Sequence, residues 1–256
     1  MAHWQFRDAS LKAKATLEAC VKALAQPLKE TKTRASAGAR IGDRNVFVKI
    51  ERQGWSGTKR LLRATLPFSW RIVHEAQRMR AAFEAGVPVP EPLALFRHEG
   101  SWYFVTSAIE GESMLQRRRA ASEVMRLSQR EQDDLLSALL ALHRAGIEHR
   151  DLHAGNILLT PGDPSVVLLD FATAKLRKRM TLRAGLSDLR FLANSVHARS
   201  TIFSMLRFAL RYLRARDVRD RSQRRRWICW MNRRFLKEFV GREDQLVFAD
   251  GARASV

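Results

Sequence analysis

The chain has 256 residues, of which 46% are hydrophobic and 28% are charged. This length and apolar content suffice for a folded core and exclude a disordered tail. The formal net charge is +20, which predicts an anionic partner such as a phosphate compound, a nucleic acid or an anionic lipid. Cys20 and Cys229 stand far apart in no metal-ligand spacing, a pattern that argues against a disulfide framework or a zinc site and favours a reducing compartment.

Residues 1–28 form an N-terminal basic segment without the apolar run of a signal peptide, so secretion is not expected. The densest apolar stretch, residues 135–142, is far shorter than the roughly 20 residues that span a bilayer. Any membrane association is therefore expected to be peripheral.

Residues 29–110 predict a small sheet with one helix. Residues 45–50 (NVFVKI) place three aliphatic side chains on one face of a strand and Lys49 on the other. A helical pattern that carries Glu75 follows and ends at Gly86. Residues 101–108 predict a further strand.

Residues 111–256 predict a mainly helical region that contains one hairpin. The predicted elements, in chain order, are a helix opened by a Ser128–Glu131 capping box, a polar loop at 149–156, a strand at 157–159, a turn at 160–164, a strand at 166–170 and basic helical sequence from about Ser187. The hairpin thus directly follows a loop that is rich in acids, histidines and amides.

Five polar residues have the order and spacing required for phosphoryl transfer. Asp151 and Asn156 belong to an H-x-D-x-x-x-x-N pattern, and Asp170 starts an Asp-Phe pair after the hairpin. Such transfer needs one carboxylate to orient the accepting hydroxyl, and carboxylate and amide oxygens to hold Mg²⁺. We therefore predict that Asp151 is catalytic and that Asn156 and Asp170 are metal ligands. Lys49 and Glu75 are predicted to form the ion pair that positions the donor phosphates.

Three residues near these positions have competing interpretations. Glu84 lies on the same predicted helix as Glu75, and spacing alone decides between them. His149 and His153 could be read as metal ligands, but a zinc site needs further Cys or His partners. We expect His149 to pack beneath the loop and His153 to help shape it.

Several segments together resemble the Kdo/WaaP lipopolysaccharide kinase family, including its InaA-like members. They are HRDLHAGNILL (149–159), LLDFA (168–172), FVKI (47–50), residues 75–95 and residues 103–111, and the likeness spans residues 40–215. The resemblance implies an α+β, bilobal, protein-kinase-like fold, with an N-lobe at 29–110 and a helical C-lobe at 111–256. It also implies an ATP- and Mg²⁺-dependent kinase that phosphorylates a heptose or Kdo hydroxyl of the lipopolysaccharide inner core.

The resemblance also implies individual roles. Lys49 would anchor the phosphates and Glu75 would pair with it, Asp151 would be the catalytic aspartate, and Asn156 and Asp170 would bind Mg²⁺. Two features depart from the kinase pattern. Ala172 replaces the glycine of an Asp-Phe-Gly triplet, and only Gly38 and Gly42 lie near the expected glycine-rich loop. Ala108 and Ile109 fall where the hinge that meets adenine would be.

The basic residues concentrate near the C-terminus, where residues 199–242 hold 13 arginines and one lysine against three acidic residues. These residues could form the solvated face of core-packed helices. The alternative is that they meet an anionic inner-membrane surface or the phosphates of a lipid A–core acceptor, which places the protein on the cytoplasmic face of the inner membrane. The residues of this second interpretation are Arg211, Arg214, Arg224, Arg225, Arg226, Trp227 and Trp230.

Two other functions stay open from the sequence. An atypical kinase of the RIO type working beside RNA would also lack an Ala-Pro-Glu segment, as this chain does, but no RNA-binding module is evident and RNA is not favoured. No DNA partner is expected. A catalytically weak, membrane-associated pseudokinase would explain Ala172 and the sparse glycines, but it would not need Asp151, Asn156 and Asp170 together.

Overall fold

The computed structural model describes residues 3–8, 11–52, 70–121, 127–195 and 201–240. Its strands are β1 (His3–Arg7), β2 (Lys29–Glu30), β3 (Arg34–Ile41), β4 (Arg44–Glu51), β5 (Pro92–His98), β6 (Ser101–Ser107), β7 (Glu112–Ser113), β8 (Ile147–Glu148), β9 (Ile157–Leu159), β10 (Val166–Leu168) and β11 (Lys175–Leu176). Its α-helices are α1 (Ala13–Ala23), α2 (Arg71–Glu84), α3 (Met114–Ala120), α4 (Gln129–Arg144), α5 (Leu182–Ser195), α6 (Thr201–Ala215) and α7 (Arg221–Val240). Antiparallel sheets and helices together confirm the α+β fold class.

The largest sheet has six strands in the order β1-β5-β6-β4-β3-β2, and every neighbouring pair is antiparallel. The strand β1 pairs with β5, and α1 packs against β3 through Cys20 and Leu24. The prediction assigned one helix to this sheet, whereas the structure places both α1 and α2 on it. The first 24 residues escaped prediction because their strand partners are distant in sequence.

The central strands separate two apolar clusters. Val46 and Val48 of β4 are fully buried on the side that α1 covers, as the alternating pattern predicts. On β6, Phe104 contacts the cluster that contains α2, while its neighbour Val105 contacts the cluster that contains α1. Lys49 lies on the α2 side of the sheet, and this is the side on which the candidate site is built.

The helical region continues the cluster that contains α2. Ser128 and Glu131 form the predicted capping box at the start of α4. The hairpin of β9 and β10 is also confirmed, and β7 pairs with β9 to complete a three-stranded sheet. The helix α5 begins at Leu182 rather than near Ser187. Among the described residues, no helix has the length and apolarity needed to cross a membrane.

Gly185 allows α5 to approach α6 closely. A Cβ atom at Gly185 would lie 2.1 Å from Oη of Tyr212 and 3.2 Å from Nδ1 of His143. We expect Gly185→Ala to lower the free energy of unfolding by about 1–3 kcal/mol, because the core must shift to admit the methyl group. Urea denaturation measures the effect, and Gly162→Ala is the control, since its Cβ would meet no atom within 4 Å. Equal stability of the two variants would contradict this packing.

Candidate active site

Lys49 and Glu75 form a direct ion pair between β4 and α2. The ammonium Nζ donates to Oε1 of Glu75, whose side chain is almost fully buried. Burial alone would lower the pKa of Lys49, but the carboxylates of Glu75 and Asp170 outweigh it and raise this pKa above its ordinary value. Lys49 therefore keeps its positive charge. Glu84, the competing candidate, is exposed and pairs with Arg80 on the same helix.

Glu51 fixes α2 relative to β4. Its side chain is buried, and Oε2 accepts a hydrogen bond of 2.8 Å from the backbone N–H of Ile72 in the first turn of α2. This contact satisfies one of the free amides at the helix start. Glu51 follows Lys49 by two residues, so the same strand supplies the lysine and holds the helix that carries its partner. No sequence pattern indicates this role, because the contact joins residues 21 positions apart.

Asp170 is a charged carboxylate beside this ion pair. Burial would raise its pKa, but Lys49 and a hydrogen bond from the N–H of Ala172 to Oδ1 lower it below the ordinary value. Its φ of 58° lies in the left-handed region, which few residues other than glycine adopt. Arg78 of α2 donates to the carbonyl of Ala172 at 2.8 Å and so joins α2 to this turn.

Asp151 and Asn156 are joined through the backbone of their loop. Nδ2 of Asn156 donates to the carbonyl of Asp151 at 2.9 Å, which leaves the amide oxygen of Asn156 available to a ligand. The carbonyl of Asn156 accepts from the N–H of Leu169 at 2.9 Å. Because Leu169 precedes Asp170, these two contacts tie the loop to the turn that carries Asp170. The Asp151 side chain is 39% exposed and thus open to an acceptor.

The two loop histidines have the structural roles that the sequence predicts. His149 is fully buried, and its Nε2 contacts the carbonyl of Leu169 at 3.0 Å. Burial lowers the pKa of His149, so its ring is neutral and donates to that carbonyl. His153 accepts a hydrogen bond from the N–H of Gly155 at Nδ1 and so shapes the turn that follows it.

Asp188 fixes the backbone at the start of the polar loop at residues 149–156, and it was not identified from the sequence. This buried side chain accepts from the N–H groups of His149 and Arg150 at 2.9 and 2.8 Å. Nε2 of His143 lies 3.2 Å from it, and Nδ1 of His143 lies 2.7 Å from Oη of Tyr212. One sequence pattern could have indicated this role: Asp188 is an acidic residue among the leucines of the apolar stripe of α5.

The donor set fits magnesium bound together with a nucleotide. Mg²⁺ is usually held by one or two protein oxygen ligands, and substrate phosphates and water complete its coordination. Asp170 offers an ionised carboxylate and Asn156 an amide oxygen. Within the described part of the chain, no three His, Cys, Asp or Glu side chains form a metal-binding group. The phosphates would therefore have to supply most of the remaining ligands.

A cavity of about 360 Å³ opens beside these residues and contains Lys49, Glu75 and Asp170 in its wall. Thr31 and Thr33, from the turn between β2 and β3, also line it. Gly38 and Gly42 are the glycines nearest to the expected glycine-rich loop. Gly38 lies inside β3 and Gly42 in the β3–β4 turn, and neither lines the cavity.

The predicted hinge residues follow β6 at the edge of the same sheet. The N–H of Ala108 donates to the carbonyl of Asn45 at 3.0 Å, so this amide is used within the fold. Ile109 is partly exposed. A role for either residue in binding adenine stays a prediction.

Some of the C-terminal basic residues form contacts within the fold, and others are exposed to solvent. Arg211 forms an ion pair with Asp133 of α4, and Arg224 donates to the carbonyls of Val218 and Arg219. Trp227 and Trp230 pack partly buried against the core. The members of the predicted membrane set whose side chains are exposed are Arg214, Arg225 and Arg226.

The ion pair gives a test with a matched control on one helix. We expect Glu75→Gln to raise the KM for ATP about tenfold or more, because Lys49 loses the carboxylate that fixes its ammonium in the cavity. Glu84→Gln removes an exposed acid from the same helix and should leave the KM within about twofold of wild type. Steady-state kinetics measures both. Similar KM values for the two variants would remove Glu75 from this role.

Comparisons with known proteins identify the family of this chain. A model of the lipopolysaccharide kinase (Kdo/WaaP) family matches residues 19–212 and so begins within α1. The serine/threonine-protein kinase D of Synechocystis sp. is 30% identical over 105 residues, which are 40% of this chain and 19% of that protein. This chain therefore covers only about a fifth of that relative's length. Because the family match extends over most of its residues, the chain belongs to the lipopolysaccharide kinase (Kdo/WaaP) family.

Proposed function

We propose that this protein transfers a phosphoryl group from ATP, with Mg²⁺, to a heptose or Kdo hydroxyl of the lipopolysaccharide inner core. The observation that carries the proposal is the contact of Lys49 with Glu75 in the same cavity as the ionised Asp170. This arrangement offers one fixed cation for the donor phosphates and one carboxylate for a metal ion. Membership in the lipopolysaccharide kinase family supports the sugar acceptor.

Each residue has a chemical task in this proposal. Asp151 is open to solvent, so its carboxylate can orient an acceptor hydroxyl and accept its proton late in the transfer. Lys49 holds the donor phosphates, and Asn156 and Asp170 supply oxygen ligands. When bound, Mg²⁺ neutralises charge on the migrating phosphoryl group. No covalent intermediate with the protein is needed.

We also propose that the protein works at the cytoplasmic face of the inner membrane, where a lipid A–core acceptor can reach the site. The support is the excess of basic residues in α6 and α7, of which Arg207, Arg214, Arg225 and Arg226 are exposed. Exposed arginines attract anionic lipid and so stabilise the membrane-bound state of the protein. Salt screens this attraction. Binding to vesicles that contain anionic lipid should therefore decrease as the salt concentration rises.

Transfer of labelled phosphate to purified acceptors tests the function. We expect ATP- and Mg²⁺-dependent labelling of dephosphorylated lipid A–core, and none of lipid A that lacks core sugars. Mass spectrometry of the product would then locate the added phosphate. Labelling of protein together with tight, salt-sensitive RNA binding would instead favour the RIO-type interpretation. Absence of thermal stabilisation by millimolar ATP and Mg²⁺ would favour a pseudokinase.

A further inference from the structure

Most of the residues that line the cavity beside Lys49 carry a charge or a hydroxyl group. Ten of its fourteen lining residues are charged or carry a hydroxyl group. Four of the ten are cations and three are carboxylates. The cations are Lys29, Arg34, Lys49 and Arg71. Four cations in one wall can attract a ligand that carries several negative charges.

The three carboxylates already have partners or a task. Glu75 is bound to Lys49. Glu51 accepts from the N–H of Ile72 and lies 3.8 Å from Arg34. Asp170 is the candidate metal ligand. Among the described residues, Arg71 therefore forms no close ion pair, but its charge is near enough to Glu75 and Asp170 to favour the ionised form of each carboxyl group.

The position of Arg71 is not explained by the stability of its helix. Arg71 is the first residue of α2, and its side chain is exposed. A cation in the first helical turn is unfavourable, because the helix dipole places partial positive charge at that end. Arg71 precedes Glu75 by four residues, which puts the two side chains on one face of the helix. That face borders the cavity, where an anion would be attracted by both the helix end and the guanidinium.

Two backbone amides of the turn that lines the cavity are used within the turn itself. Residues 31–33 contain no glycine. The N–H of Thr31 donates to the carbonyl of Arg34 at 2.7 Å, and the N–H of Arg34 donates to Oγ1 of Thr31 at 3.2 Å. These two amides are thus used within the turn, whereas phosphate-binding loops direct such amides at the ligand.

We propose that Arg71 binds the phosphate chain of the nucleotide and supplies hydrogen-bond donors in place of the two turn amides that are used within the fold. A guanidinium presents five N–H donors in a fixed plane that matches phosphate oxygens. Together, Arg71 and Lys49 hold the chain beside Asp170. The proposal rests on the proposed function, because it takes ATP as the donor.

Binding of nucleotides to Arg71→Gln tests the proposal, with Arg80→Gln as the control. Arg80 is an exposed arginine of the same helix that pairs with Glu84. Calorimetry with Mg²⁺ should show the Kd for ATP raised at least about tenfold in Arg71→Gln and unchanged in Arg80→Gln, because phosphate bonds to guanidinium are strong charge-assisted ones. The Kd for adenosine, measured by competition, should not change. Arg71→Lys should restore part of the ATP affinity.

The outcomes separate the two proposals. If wild type binds ATP and Arg71→Gln binds it equally well, the assignment of Arg71 is wrong and the proposed function stands. The assignment is also wrong if Arg71→Gln loses ATP and adenosine affinity by equal factors, since a general distortion would then be the cause. If wild type does not bind ATP, the proposed function fails and the assignment of Arg71 fails with it.

Discussion

Replacing Asp151 with asparagine is expected to abolish phosphoryl transfer while ATP binding stays close to that of wild type. The loop geometry should persist, because Nδ2 of Asn156 and the N–H of His153 donate to the backbone carbonyl of Asp151, which the substitution keeps. The carboxylate itself lies 4.0 Å from Nε2 of His153, a long contact that the substitution weakens only slightly. The amide cannot accept the proton of the acceptor hydroxyl. Loss of a general base of this kind lowers kcat by about 10²–10⁴-fold. Labelled transfer to lipid A–core measures the rate, and calorimetry measures ATP binding.

Asp217→Asn is the control for this experiment. Asp217 is exposed on the surface and has a φ of 58°, a conformation that asparagine tolerates well. Its replacement should leave both rate and affinity unchanged. Turnover by Asp151→Asn within about threefold of wild type, far from the loss expected for a general base, would show that another group accepts the proton. Asp151 would then lose its catalytic assignment.

The parts of the site that the sequence predicted depend on local patterns. The alternation of residues 45–50 places Lys49 on the face opposite to Val46 and Val48, and the structure has this arrangement. The helical spacing predicted that Glu75, and not Glu84, pairs with Lys49, and the observed ion pair confirms this prediction. Period-2 and period-3.6 patterns determine which side a residue occupies, so a prediction needs only about the nearest ten residues.

The parts that were missed depend on contacts between distant segments. Glu51 meets Ile72 across 21 positions, and Asp188 meets His149 across 39. A single sequence contains no periodicity for such pairs. The residues of the turn that lines the cavity were missed for a related reason. Glycine content pointed to Gly38 and Gly42, but strand pairing puts the turn at residues 31–33 beside Lys49.

Asp188 also fixes the backbone conformation directly before Asp151. Arg150 has a φ of 67°, a strained conformation for a residue other than glycine. Its N–H is fixed by Asp188, as is that of His149. The buried carboxylate of Asp188 therefore holds Arg150 in this strained conformation. Since Asp151 follows directly, the orientation of its carboxylate, the proposed catalytic group, depends on a residue 37 positions further along the chain.

Replacing Asp188 with alanine is expected to lower the free energy of unfolding by about 3–5 kcal/mol. The change leaves two backbone N–H groups and His143 without their acceptor in a buried site, and buried donors without partners are costly. Urea denaturation measures this loss. Glu84→Ala, which removes an exposed acid from a surface ion pair, should change stability by less than about 0.5 kcal/mol.

The Asp188→Asn variant distinguishes a role of Asp188 in stabilising the fold from a role in positioning the loop that carries Asp151. Asparagine keeps the shape and one acceptor oxygen, so this variant should be more stable than Asp188→Ala and can be assayed when folded. Its remaining oxygen cannot hold the amides of both His149 and Arg150 in the wild-type geometry. We expect kcat to fall about tenfold or more with little change in the KM for ATP, because the loop that carries Asp151 shifts while the cavity around Lys49 does not. A stable variant with wild-type kcat would show that Asp188 serves the fold alone.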